Sequence, residues 1–148
     1  MGLIDDLGAG DVGVDTAGFI YLIEEHPTFL PVILPLFRQA DGGKRGVVTS
    51  ALTLLEVLVV PYRAGNRSLA ERYEALLTRG RGVRLVDLSH DQLRAAAQLR
   101  AAAGVKTPDA LQLVAAIGAG CTTFVTNDRR LPSTPGIRIV ELSSYVTS

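Results

Sequence analysis

The chain of 148 residues contains one cysteine, two histidines and no excess of either charge. The lone thiol, Cys121, excludes an internal disulfide and fits a reducing compartment; it reads as a small buried hydrophobe. His26 and His90 have no Cys or His partner at metal-ligand spacing, so both read as surface or capping residues. Lys plus Arg number 15 and Asp plus Glu 15, giving a formal net charge of zero. The basic balance that announces a nucleic-acid binder is therefore missing. Lysine itself is scarce, at positions 44 and 106 only. The arginines suit phosphate recognition by their planar fork, although genome composition produces the same bias.

Long apolar runs are also missing. The longest, Val47 to Val60, is broken by Thr49, Ser50, Thr53 and Glu56 and falls short of the roughly 20 residues that span a bilayer. The start, Met-Gly-Leu-Ile-Asp-Asp, is acidic and has no apolar h-region, which argues against a signal peptide and for the cytoplasm. Asp6 stands where an acylation signal needs Ser or Thr. There is no G-x-S-x-G, no P-loop, no G-x-G-x-x-G and no Ser-His-Asp pattern. Repeats and low-complexity linkers are absent as well.

What is present is an alternation of short β-like runs with helix-like segments. The runs are Val12–Asp15, Gly46–Thr49, Val83–Leu88, Thr122–Thr126 and Ile137–Leu142, rich in Val and Ile and mostly apolar on both faces, as buried parallel strands are. Phe19, Ile20, Leu22 and Ile23 form a helical face. Ser50 is placed to cap a helix over Ala51–Val60. Leu69, Ala70, Tyr73, Leu76 and Leu77 make an amphipathic stripe. Ser89 caps a helix over Gln92–Ala103. Thr107 as N-cap and Pro108 at the first helical position open a last long helix, which Gly118 and Gly120 end. This alternation predicts one α/β domain with a parallel sheet, whose ligands bind outside the carboxyl ends of the strands.

Acidic residues fall at that edge. Asp15 closes the first run and Asp128 follows the fourth. Asp109 lies in the first turn of a helix that runs antiparallel to the strand after it, which returns Asp109 to the same rim. Glu56 sits about 9 Å along its helix from the cap, at 1.5 Å per residue. Each acid has an ordinary explanation. Asp128 belongs to a turn-forming Asn-Asp, Asp109 suits a helix dipole, and Asp15 can cap a helix. Glu56 resists, because its neighbours in Ala51–Val60 are apolar on every helical face and a buried carboxylate needs an Arg or a metal. Four clustered carboxylates repel one another unless a cation intervenes. Without Cys or His beside them, that cation is Mg²⁺ or Mn²⁺ rather than Zn²⁺. The matching chemistry is phosphodiester hydrolysis.

At these residues the chain resembles the PIN-domain ribonucleases, in particular the VapC-like toxins of type II toxin–antitoxin modules. The matching segments are Val14-Asp15-Thr16, Thr49 to Val57, Thr107-Pro108-Asp109-Ala110 with the following apolar residues, and Phe124 to Leu131. The family's four acids fall on Asp15, Glu56, Asp109 and Asp128. The resemblance implies an α/β/α sandwich around a five-stranded parallel sheet in order 3-2-1-4-5. It also implies Mg²⁺- or Mn²⁺-dependent endoribonuclease activity, a homodimer and a cognate antitoxin. Thr16 and Thr126 look like hydroxyl residues that flank the acids, and Asn127 like a polar rim residue. Arg129, Arg130 and Lys106 are candidates for RNA phosphates. Residues 1–11 form an N-terminal extension before a PIN-like domain over 12–148. Its acids, Asp5, Asp6 and Asp11, lie outside the motif, and its role is packing or partner contact. Two other readings remain open. One is a non-catalytic PIN-like module that binds RNA or protein. The other is a phosphatase of the haloacid dehalogenase type, which wants a second Asp where this chain has Ala17.

Overall fold

Five short strands form a wholly parallel sheet: β1 (Val12–Val14), β2 (Val47–Ser50), β3 (Val83–Val86), β4 (Thr123–Thr126) and β5 (Arg138–Glu141), in the order β3-β2-β1-β4-β5. The expected topology is thus what a computed structural model, describing residues 2–146, contains. Side chains alternate between two cores. Val12, Val14, Val47 and Val125 face one, with Phe19, Ile33, Leu36 and Leu77. Val48 and Phe124 face the other, with Leu111, Leu113 and Val114. The central strands β2, β1 and β4 are buried along their whole length, as strands covered on both sides are, whereas the edge strands β3 and β5 turn Arg84 and Arg138 outward.

Among the described residues, seven α-helices cover the sheet: α1 (Leu3–Leu7), α2 (Thr16–Ile23), α3 (Leu30–Asp41), α4 (Leu52–Arg63), α5 (Arg67–Arg79), α6 (His90–Ala103) and α7 (Thr107–Gly118). Ser89 caps α6 as expected, accepting from the Gln92 N–H at 3.2 Å. Several boundaries differ from the sequence reading. The first strand stops at Val14, because Asp15 turns out of the sheet to become the N-cap of α2. The third stops at Val86. The fourth starts at Thr123 rather than Thr122, and Cys121 before it is buried, as expected. The N-cap of α4 is Ala51 rather than Ser50, although the Ser50 hydroxyl still accepts from the Leu52 N–H at 3.2 Å. α4 continues through Pro61 to Arg63. Lys106, not Thr107, is the N-cap of α7, so Pro108 is the second helical residue, where a missing N–H is still harmless. Gly118 is the last helical residue and the chain turns at Gly120, with φ +86°.

Two elements have no counterpart in the sequence reading. α3 carries Pro31 at its start and Pro35 inside, yet Ile33, Leu36, Phe37 and Ala40 form a buried stripe at helical spacing. Packing of that stripe outweighs the one carbonyl partner lost to Pro35. α1 buries Leu3 and Leu7 in the first core and packs against α3. Asp6 of the same helix accepts from the Tyr145 hydroxyl at 2.6 Å. No described helix is long and apolar enough to cross a membrane.

Gly13 sets how closely α7 approaches the sheet. A Cβ there would lie 2.6 Å from the Ala116 Cβ and 2.8 Å from the Phe124 ring, well inside contact distance, so only glycine lets α7 lie this low over β1. That seating fixes the height of Asp109 above the strand ends.

Candidate active site

The strand order reverses beside β1: the chain winds outward through β2 and β3, then crosses to β4 and β5 on the other side. A doubly wound sheet opens a crevice at such a switch point, outside the carboxyl ends of the strands. Asp15 leaves β1 and Asp128 leaves β4 at this point. Backbone pairing joins the two segments, with the Asp15 N–H donating to the Val125 carbonyl at 3.3 Å.

Asp15 does two things at once. One oxygen caps α2 by accepting from the Gly18 N–H at 3.4 Å. The other accepts a 2.6 Å hydrogen bond from the Thr126 hydroxyl. Burial pushes the Asp15 carboxyl up to about 6; the bonds from Thr126 and Gly18 pull the other way, and the neighbouring charges of Asp109 and Asp128 add to the rise. The Asp109 carboxyl is likewise raised by burial, then by Asp128 and Glu56, with Lys106 opposing. The Asp128 carboxyl is lowered, chiefly by the Arg130 backbone N–H. That N–H donates to it at 2.9 Å, and the Arg130 guanidinium lies at 3.4 Å. The acids thus feel one another's charge, which fits their expected gathering at one rim.

Glu56 differs from its expectation. Its helix is not buried all round: Leu55, Val59, Val60 and Tyr62 are exposed, and Glu56 lies half-buried between that open face and the core. No arginine pairs with it among the described residues. Its Oε1 accepts a 2.6 Å hydrogen bond from the Thr16 hydroxyl, whose oxygen lies 3.2 Å from that of Thr53.

Three adjoining depressions mark the rim. One of about 150 Å³ is lined by Asp15, Thr16, Glu56, Asp109 and Gln112. A second, of about 350 Å³, carries Asp15, Tyr21, Asn127, Asp128 and Arg130. A third, of about 130 Å³, joins Lys106, Asp109, Asp128 and Arg130. At ~30 Å³ per water, the first admits an ion and several waters. A larger hollow of about 500 Å³ lies between α1 and α3; the described residues that line it include no acid, histidine or cation.

Among the described residues, no three Asp, Glu, His or Cys side chains form a ready-made cage for a cation. A cage is not what Mg²⁺ requires: it binds through one or two carboxylates and keeps waters on its other positions. The donor set here is all oxygen, and Glu56 Oε2 accepts no hydrogen bond among the described residues. The raised Asp15 and Asp109 carboxyls are what a cation would relieve. The residues therefore fit a hydrated hard cation.

The flanking residues divide. Thr16 and Thr126 contact the acids directly. Asn127 serves the fold, donating to the Tyr21 hydroxyl at 3.3 Å and accepting from the Ser143 N–H at 3.2 Å. Arg129 is exposed and 3.8 Å from Glu141; Arg130 leans over Asp128. His26 accepts from the Thr28 and Phe29 N–H groups at 3.1 and 3.2 Å, a capping role, and His90 is exposed at the start of α6. Sequence reasoning passed over Tyr21, Thr53 and Gln112. The one signal for Gln112 was a lone amide within the apolar stretch Ala110–Ile117.

A PIN-domain model matches residues 12–137. Solved structures of similar fold include VapBC2 from Rickettsia felis bound to a promoter DNA fragment, with TM-score 0.68 and 18% identity over 88% of this chain and 98% of that one. A toxin–antitoxin complex from Klebsiella pneumoniae has TM-score 0.63 and 20% identity, covering 88% and 97%. VapC20 of Mycobacterium tuberculosis, a toxin that cleaves the sarcin–ricin loop, has TM-score 0.62 and 17% identity, covering 76% and 86%. No curated protein matches the sequence significantly. The match to the family model takes in all five strand positions but the last and every one of the four rim acids, and the chain belongs to the PIN-domain family.

Proposed function

We propose that this protein is a Mg²⁺- or Mn²⁺-dependent endoribonuclease that hydrolyses RNA phosphodiester bonds, and that it is the toxin of a toxin–antitoxin pair acting in the cytoplasm. The observation that carries the reading is the convergence of Asp15, Glu56, Asp109 and Asp128 on the switch-point crevice of a PIN fold. A bound divalent cation would supply charge neutralisation at phosphate and a more acidic water. Asp15, Glu56 and Asp109 line one depression and are the residues to hold it. Asp128, kept ionised by Arg130, is placed to orient water at the rim. Thr126 and Thr16 fix the carboxylates of Asp15 and Glu56. Lys106, Arg129 and Arg130 give the approach a positive border for an RNA backbone, a local charge that the zero net charge of the chain conceals.

The antitoxin and a homodimer belong to the same reading. They are supported by the likeness to toxin–antitoxin complexes and by the exposed apolar row Leu55, Val59 and Tyr62 along α4, since contiguous apolar surface marks protein contacts. Cleavage of single-stranded RNA with Mg²⁺ or Mn²⁺ is the test. Wild-type protein should cut and Asp15→Asn should not; equal activity of the two would refute the proposal.

A further inference from the structure

Behind the acids lies a cluster of buried polar groups: Thr49, Ser50, Thr53 and Gln112 are each at most 4% exposed. Buried polar groups persist where they are satisfied, and here they satisfy one another. The Ser50 N–H donates to Gln112 Oε1 at 3.1 Å. A backbone N–H can only donate, so it fixes the amide and turns Nε2 to Thr53, to which it donates at 2.8 Å. At the far end the Thr16 proton is committed to Glu56 at 2.6 Å. The Thr49 proton has two acceptors in reach, Gln112 Oε1 at 3.1 Å and Thr53 Oγ1 at 2.7 Å; with it on the shorter contact, the Thr53 proton is left for Thr16 Oγ1 at 3.2 Å. A carboxylate at one end and an amide donor at the other favour one direction, from Gln112 through Thr53 and Thr16 to Glu56, because aligned hydrogen bonds polarise one another.

We infer that Gln112 and Thr53 are positioning residues for Glu56: through Thr16 they hold its Oε1 inward and present its Oε2 to the crevice. The inference rests on the metal-site reading above and names the part of the chain that sets the geometry of that site. Gln112 belongs to α7, three residues beyond Asp109, so the same helix supplies one acid directly and orients another through hydrogen bonds.

The experiment compares Thr53→Val, which keeps shape and removes the hydroxyl, with Thr53→Ser, which keeps the hydroxyl. Two quantities are read on the full chain: Mn²⁺ affinity by calorimetry, and the Glu56 carboxyl ¹³C signal in metal-free protein. Thr53→Val should bind Mn²⁺ about 10- to 100-fold more weakly, the range for groups that orient a metal ligand. It should also move the Glu56 signal, and Thr53→Ser should restore both. A folded Thr53→Val with wild-type affinity and an unmoved signal overturns the inference. If the wild-type protein binds no Mn²⁺, the metal-site reading fails, and the Glu56 signal alone then decides the positioning role. If Thr53→Val does not fold, Gln112→Met is read in its place by the same criteria.

Discussion

Thr126 donates a 2.6 Å hydrogen bond to Asp15 and thereby ties the carboxyl ends of β1 and β4 together at the crevice. The bond favours the ionised carboxyl, while burial, the larger influence, opposes it. Thr126→Val removes the favourable part. The Asp15 carboxyl should then titrate above its value of about 6. A pH series of Mn²⁺ binding should show the midpoint displaced upward; an unchanged midpoint would mean that the bond does not control this acid.

For the wild-type protein the direction follows from the same group. Protonated Asp15 cannot serve a cation, so Mn²⁺ affinity should rise with pH through about 6 and then level off. At pH 5 about one tenth of Asp15 is ionised, so binding should be about tenfold weaker than at pH 7.5. Affinity that does not change across this range would contradict the role given to Asp15.

Metal-free stability carries the opposite sign. The folded Asp15 carboxyl holds its proton up to about 6, against 3.8 for an unperturbed one. Its contribution is therefore stabilising at low pH and is lost as pH rises from about 4 to about 6. Asn does not titrate. The melting temperature of Asp15→Asn relative to wild type, measured in chelator, should climb between pH 4 and pH 7. A flat or falling difference counts against a raised carboxyl.

Leu7 of α1 is 3% exposed within the first core. Leu7→Ala should destabilise the protein by about 2–5 kcal/mol, as loss of a buried leucine does, and leave Mn²⁺ affinity unchanged. Denaturant unfolding with a metal titration checks both. A loss below about 0.5 kcal/mol would mean that residues 1–11 are not part of the folded unit.

Arg130 is 82% exposed at its ion pair with Asp128. Arg130→Ala should change stability by less than about 1 kcal/mol. RNA binding in calcium, without cleavage, should weaken across sequences, with the salt dependence reduced by about one charge. An unaltered salt slope would remove Arg130 from the RNA path.

Much of this architecture was legible in the residues. Strands covered on both faces announce themselves by short runs rich in Val and Ile, and their strong alternation with helices points to a parallel sheet with its chemistry at one edge. The order of the strands came from the resemblance, since nothing local in Val47–Ser50 or Thr123–Thr126 says which neighbour it pairs with. α3 was hidden by Pro31 and Pro35, whose local penalty is outweighed only by the buried stripe from Ile33 to Ala40. α1 is too short to show a period. The burial of Glu56 was overestimated because an apolar helix does not reveal which of its faces the fold leaves open. Thr53 and Gln112 were passed over for a different reason. Thr53 is one of four polar residues in its run and Gln112 a lone amide in another, and their meaning lies in contacts between positions 49, 53 and 112 that only folding creates.

The seating of α7 and β4 beside β1 has a consequence for the order in which the chain folds. Asp15 and its partner Thr126 stand 111 residues apart in the chain, and parallel pairing between such distant segments forms late. The rim of acids is therefore assembled only once β4 has docked beside β1, which makes it a product of the finished sheet and of no single segment.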